Sequence, residues 1–205
     1  METLPSYPVS EIFSSVQGEG VHTGLYATFV RFAGCNLRCA FCDEPDSLTK
    51  KNAVWLSLEE ILRELQSPYV VLTGGEPTLL PLGPLVFRLK DARCRVHVET
   101  NATQCPDWLH ALDWVTASPK PPEFFLAEGV TQRADEWKFV VDGDFSADCI
   151  PKGVFDSKKP LYLQPMGLDP VFVGKTLKLL QELPGTRLSL QAHKVLSLLL
   201  HQRVP

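Results

Sequence analysis

Short apolar runs recur along this chain, and almost every one gives way to a polar or glycine-bearing motif before helical periodicity sets in. The run Leu25-Tyr26-Ala27-Thr28-Phe29-Val30-Arg31-Phe32 is rich in β-branched and aromatic residues and reads as a buried strand. Residues 69–73, 95–99, 114–117, 137–141, 161–164 and 188–191 repeat the pattern, and 9–16 forms an extended segment before the turn Gln17-Gly18-Glu19-Gly20. Between them lie helical patterns at 57–66, 82–92, 107–112, 171–183 and 194–200, the first opened by the capping box Ser57-Leu58-Glu59-Glu60. The stretch 44–54 reads as polar loop.

Short apolar strands alternating with helices favour a parallel sheet with right-handed crossovers. A full eight-unit barrel uses about 250 residues, whereas this chain has 205 and shows no helical period over 119–133. The expected class is therefore α/β, a partial (open) TIM-like barrel of parallel strands with a reduced set of helices, in a single domain spanning 1–205. The prolines at 106, 119, 121, 122 and 151 mark loops, not a linker.

Charge and hydropathy exclude several roles. The net charge is −4 and Lys and Arg are scattered, so the footprint of a nucleic-acid binder is missing. Met1-Glu2-Thr3-Leu4-Pro5 carries no charged segment leading into an apolar run, and the most apolar stretch, 195–200, is too short for a bilayer. A cytoplasmic protein without membrane or nucleic-acid partners is expected. Six cysteines without an export signal do not suggest a disulfide framework, and Cys94, Cys105 and Cys149 read as small buried hydrophobes.

The other three cysteines are different. Gly34-Cys35-Asn36-Leu37-Arg38-Cys39-Ala40-Phe41-Cys42-Asp43 places Cys35, Cys39 and Cys42 within eight residues. Three thiolates bind a metal centre and leave one position open, unless a distant residue such as His22 or Cys94 completes a structural zinc site. Five further motifs also follow predicted strands: Thr73-Gly74-Gly75-Glu76-Pro77, Glu99-Thr100-Asn101, Ser118-Pro119-Lys120, Gln164-Pro165-Met166 and Gln191-Ala192-His193-Lys194. All six would meet at the C-terminal ends of the strands, where parallel α/β sheets bind ligands. Each also has a plain reading: Gly74-Gly75 as a tight turn, Glu76 as a solvated charge, Glu99 paired with Lys120, His193 as a helix-start residue.

The spacing Cys35-x3-Cys39-x2-Cys42, with Phe41 before the third cysteine and Gly74-Gly75-Glu76-Pro77 after the second strand, resembles the radical S-adenosylmethionine (SAM) superfamily. Within it, 11–20, Arg31-Phe32-Ala33-Gly34-Cys35-Asn36-Leu37 and Ser118-Pro119-Lys120 are similar to the 7-carboxy-7-deazaguanine synthase family, from about Glu11 to the last residue. The resemblance implies a radical SAM core. Its cysteines hold a 4Fe-4S cluster whose fourth iron binds SAM, and the resulting 5'-deoxyadenosyl radical abstracts a hydrogen atom from substrate. It implies a carbon-nitrogen lyase that contracts 6-carboxy-5,6,7,8-tetrahydropterin to 7-carboxy-7-deazaguanine with loss of ammonia, toward queuosine and related 7-deazapurines.

Carried over residue by residue, substrate contacts fall on Val16, Gln17, Gly18, Arg31, Thr73 and Pro205. SAM contacts fall on Gly75, on Ser118, Pro119 and Lys120, and on Gln164, Pro165, Met166 and Gly167. Arg31 suits a substrate carboxylate, which a guanidinium grips bidentately; Glu19, Glu76, Glu99 and Asn101 are polar enough to meet ribose or methionine. A homodimer and a flavodoxin or ferredoxin electron donor are also implied. The family places Thr or Ser after Cys-Asp to help bind magnesium, and this chain has Glu44. Either the carboxylate serves as a hard-oxygen ligand, or it displaces the Mg2+, or Ser47 takes over. The rival readings are a radical SAM activase that makes a glycyl radical on a partner, and a zinc-bearing interaction module.

Overall fold

The computed structural model describes residues 5–205, so the expectation drawn from the first four residues lies outside it. The strands are β1 (Ser6–Val16), β2 (Tyr26–Phe32), β3 (Val54–Ser57), β4 (Tyr69–Gly74), β5 (Arg95–Thr100), β6 (Trp114–Ala117), β7 (Glu136–Val141), β8 (Leu161–Pro165) and β9 (Arg187–Leu188). The α-helices are α1 (Leu58–Arg63), α2 (Gly83–Asp91), α3 (Val130–Arg133), α4 (Lys152–Asp156), α5 (Pro170–Glu182) and α6 (Ala192–Leu200). The strands form one sheet in the order β3-β1-β2-β4-β5-β6-β7-β8-β9. From β2 through β9 every pairing is parallel, whereas β1 runs antiparallel to both β2 and β3.

Alternation along the strands sorts the two faces. Val30, Phe32, Val70, Leu72, Val96, Val98 and Val115 point outward and pack with Leu58 and Ile61 of α1 and Leu85, Val86 and Leu89 of α2. A second core joins Trp137, Phe139 and Val141 of β7 with Phe124, Phe145, Val154 and Leu179. The alternate residues face inward and are largely polar: Arg31 stands in register with Thr73, and Glu99 with Thr116. Hydrogen bonds cross this concave side from the β1–β2 turn to the far strands, Gly20 N to Ser189 Oγ (3.1 Å) and Val21 N to Glu136 Oε2 (2.8 Å). The sheet is therefore curled into an open barrel.

Several elements differ from expectation. β3 spans the join between the expected loop at 44–54 and the expected helix at 57–66; it is a four-residue edge strand whose Val54 and Trp55 are exposed, so it carries no burial pattern. The capping box of α1 is present, with Glu60 N donating to Ser57 Oγ (3.4 Å) and Ser57 N to Glu60 Oε2 (2.7 Å), but the helix ends at Arg63 instead of 66. Where a helix is expected at 107–112, Asp107–Ala111 forms a 3-10 turn. The strand expected at 188–191 shrinks to Arg187–Leu188, and Gln191 becomes the residue that leads into α6. α3 and α4, of four and five residues, are too short to show periodicity.

Candidate active site

The polar motifs meet in a cavity of about 600 Å3 at the C-terminal ends of the parallel strands. Cys35, Cys39 and Cys42 line it, together with Val16, Gln17, Gly18, Arg31, Glu44, Thr73, Gly75, Ser118, Lys120, Gln164, Pro165, Met166, Gly167 and Pro205. Pro119 is the exception: it is buried and outside the lining.

The cysteine loop is held by its neighbours' backbones. Gly34 N donates to Ser47 O (2.7 Å), Cys35 N to Leu48 O (3.2 Å) and Glu76 N to Gly34 O (2.9 Å). A Cβ on Gly74 would overlap Phe32 O, with φ at +126°, and one on Gly75 would overlap Gly34 O. The paired glycines thus let the loop after β4 lie directly against the cysteine loop. Burial raises the thiols of Cys35 and Cys39 above the usual range, and the other cysteines add to this. Leu37 N (3.4 Å) and Asn101 Nδ2 (4.0 Å) donate to Cys35 Sγ, an arrangement that favours thiolate.

Among the described residues, no three His, Cys, Asp or Glu side chains converge where a single ion would sit. The fourth ligands considered for zinc are elsewhere: the His22 ring lies tilted against His97 with centroids 4.4 Å apart, and Cys94 is packed in the core. Three thiols that line one cavity without converging on a single point fit a cluster whose iron atoms each take one thiolate. All six cysteines are free thiols.

Glu76 is a structural clasp, not a solvated charge. It is 1% exposed, and its carboxylate accepts from Thr78 N (3.0 Å), Thr78 Oγ1 (2.6 Å), Thr100 Oγ1 (2.7 Å) and Asn101 N (2.6 Å). Those bonds tie the loops after β4 and β5 together. Burial still raises its carboxyl above the usual range.

Glu99 does not pair with Lys120. It accepts from Gln17 Nε2 (3.0 Å) and lies 3.9 Å from Lys138 Nζ, while Lys120 Nζ donates to Ser118 O (2.7 Å) and Oγ (2.5 Å). Burial, with the nearby charge of Lys138, brings Lys120 down to about 8.

Lys138 is the site residue that sequence reading passed over. It stands in the apolar run of β7 and is salt-bridged to Glu19. Burial alone would discharge both; instead their pairing holds Lys138 above, and Glu19 below, their ordinary ranges. Gln191 extends the network, Nε2 donating to Glu19 Oε1 (3.0 Å) and to Asp43 Oδ2 (2.9 Å), which also accepts from Lys194 Nζ (3.0 Å). The cysteine loop is thereby linked to β7 and α6. A lone lysine between Trp137 and Phe139 was the available signal, because a buried ammonium requires a carboxylate.

Arg31 donates from Nε to Glu11 Oε1 (2.7 Å), lies 3.4 Å from Glu44 Oε1 through Nη2, and sits over the Phe13 ring. The C-terminal residues return to the cavity: Val204 N donates to Ser197 Oγ (2.9 Å), and Pro205 O accepts from Ser15 Oγ (2.6 Å). His193, on the first turn of α6, approaches Gly18 so closely that a Cβ there would meet its Nδ1 at 2.5 Å.

Residues 29–113 match the family model described as the radical SAM superfamily. The chain is 40% identical to 7-carboxy-7-deazaguanine synthase of Bacteroides thetaiotaomicron, over 93% of this chain and 97% of that protein, and 33% identical to the Synechocystis protein of the same name, over 93% of each. A crystal structure of QueE from Escherichia coli superposes with a TM-score of 0.75 at 25% identity, covering 92% of this chain and 95% of that one. Streptococcus suis SuiB bound to S-adenosylmethionine shares the fold, with a TM-score of 0.51 at 13% identity over 76% of this chain and 48% of its own.

Proposed function

The chain belongs to the 7-carboxy-7-deazaguanine synthase family of the radical SAM superfamily, and from that premise we propose how its cavity divides between cofactors and substrate. The protein is a radical SAM lyase that converts 6-carboxy-5,6,7,8-tetrahydropterin to 7-carboxy-7-deazaguanine with loss of ammonia. Its cofactors are a 4Fe-4S cluster and SAM, and when bound they supply the hydrogen-atom abstraction that begins the ring contraction.

The observation that carries the division is that the three thiols and Arg31 open on one cavity. Cys35, Cys39 and Cys42 hold the cluster. Gly75, Ser118 and Lys120, with Gln164, Pro165, Met166 and Gly167, form the SAM side; Pro119, buried outside the lining, is the member of the set that does not reach the cavity. On the other side Arg31 grips the pterin carboxylate, and Val16, Gln17, Gly18, Thr73 and Pro205 orient the ring. Glu19, Glu99 and Lys138 fix Gln17 and its turn in place, so the polar groups are set before substrate arrives. Phe13, Phe29 and Met166 supply apolar walls that exclude water.

The side chains near Glu44 do not fit a magnesium ion. Glu44 itself faces the Arg31 guanidinium, Asp43 is engaged by Gln191 and Lys194, and the Ser47 hydroxyl is buried and donates to Glu44 O (2.8 Å). No step is assigned to that ion.

The 205 residues act as one radical SAM domain in this reading. A flavodoxin or ferredoxin as electron donor, a homodimer and a cytoplasmic location complete it; no helix among the described residues is long and apolar enough to cross a membrane. The test is anaerobic reconstitution with iron and sulfide, then reduction in the presence of SAM and 6-carboxytetrahydropterin. The deazaguanine product is expected, and 5'-deoxyadenosine formed without it would overturn the substrate assignment.

A further inference from the structure

We propose that Glu44 is a resident counter-ion, which occupies Arg31 until a substrate carboxylate displaces it toward Arg203, and which thereby holds down the affinity for carboxylated ligands. The inference rests on the assignment of Arg31 to the pterin carboxylate.

Three observations carry it. Arg31 meets Glu11 at 2.7 Å through Nε, Glu44 at 3.4 Å through Nη2 and the face of Phe13, so a carboxylate that grips both Nη atoms has to displace Glu44. The longer pairing, to Glu44, is the one that yields. Second, the backbone of Glu44 is fixed while its side chain is not. Glu44 O accepts from Ser47 N (3.1 Å) and Ser47 Oγ (2.8 Å), yet the Glu44 carboxylate caps nothing on the 3-10 turn that follows it. The side chain can swing without breaking local structure. Third, there is somewhere for it to go. A side cavity of about 340 Å3 shares Arg31, Glu44 and Pro205 with the main one and is also lined by Arg203, on the segment that returns from α6.

The consequence is carboxylate binding by exchange, at a cost that Glu44 imposes on carboxylated ligands alone. A ligand with a carboxylate replaces one ion pair with another, and the released Glu44 finds a second guanidinium. A ligand without one leaves Arg31 closed and gains nothing there. Glu44 thus lowers affinity for every ligand that must open the pair, in proportion to how much of the time the pair is closed.

The test is calorimetric titration of the reconstituted, SAM-loaded, unreduced protein with 6-carboxytetrahydropterin and with tetrahydropterin lacking the carboxylate, each with and without magnesium. Glu44→Gln is expected to bind the carboxylated pterin about tenfold more tightly and the analogue unchanged, with no dependence on magnesium. Arg203→Ala is expected to weaken the carboxylated pterin about threefold beside Glu44 and not at all beside Glu44→Gln, the non-additivity of a shared pair. An unchanged or weaker affinity in Glu44→Gln would overturn the proposal, as would a gain shared by the analogue or a loss in affinity that magnesium restores. Additive effects of the two substitutions would remove Arg203 from it. If the wild-type protein bound no carboxylated pterin, the premise would fall and the proposal with it; normal wild-type binding with no gain in Glu44→Gln defeats the proposal alone.

Discussion

Lys138 keeps its charge inside a strand because Glu19 reaches it from a turn 119 residues earlier in the chain. Removing one partner strands the other, at a cost of about 3–5 kcal/mol, whereas removing both does not. Chemical denaturation of Lys138→Met should therefore show a large loss of stability, most of it recovered in Lys138→Met with Glu19→Gln. Equal losses in single and double variants would contradict the pairing. His97 makes a second residue-scale prediction. Burial and the neighbouring His22 bring its pKa down to about 4, with Asp113 and Asp135 opposing and Arg95 assisting. The unfolded chain, with an ordinary histidine near 6.5, therefore binds a proton between about pH 4 and 6.5 that the folded protein refuses. The stability conferred by neutral His97 is complete above 6.5 and is lost as pH falls toward 4. Denaturation midpoints of His97→Gln should accordingly fall less over that interval than those of the wild type. The three thiols were legible from their spacing, whereas Arg31 came only with the family resemblance; the structure brings all four to one cavity. The sequence did not reveal Lys138, whose meaning depends on a partner far along the chain.

At the scale of elements, the loop after β4 shows how two stretches define each other. Gly74 and Gly75 read as a tight turn or a ligand-facing backbone; the structure gives them a third role, as the surface on which the cysteine loop lies. Alanine at Gly74 meets both a positive φ and the Phe32 carbonyl, and a loss of at least about 1 kcal/mol is expected. Alanine at Gly75 should displace the cysteine loop first. Its reconstituted protein should hold less iron per chain at a melting temperature nearer the wild-type value than that of Gly74→Ala; full iron content would show that the loops are independent. Most elements could be read from the sequence for local reasons, such as the Ser57 and Glu60 caps of α1 and the apolar alternation of the parallel strands. β3 could not, since an exposed edge strand is defined by its pairing with β1, and β9 was misplaced because Ser189 and Gln191 are buried as polar groups beyond a two-residue strand.

Across the whole molecule, the open barrel is braced through its interior. The β1–β2 turn crosses to β7, where Glu136, 2% exposed, accepts from Val21 N and from Thr116 Oγ1 (2.7 Å). Glu136→Ala frees both donors and loosens the turn that carries Gln17 and Gly18. A several-fold rise in KM for the pterin is expected, with the visible absorption of the cluster unchanged; a bleached cluster would mean that the brace supports the thiols as well. The mainly parallel, partly closed sheet followed from strand-helix alternation and chain length. The brace and the antiparallel addition of β1 and β3 are tertiary facts with no local sequence signature.

The network joining Asp43 to Lys194 also has a consequence in time. These partners are separated by 151 residues, so at 5–20 residues per second the cysteine loop is made roughly 8–30 s before its far wall exists. For that interval the three thiols are open to solvent and to whatever donates iron and sulfide. The cavity around them closes only as α6 is completed, and metal loading during synthesis faces a doorway that the finished protein has narrowed.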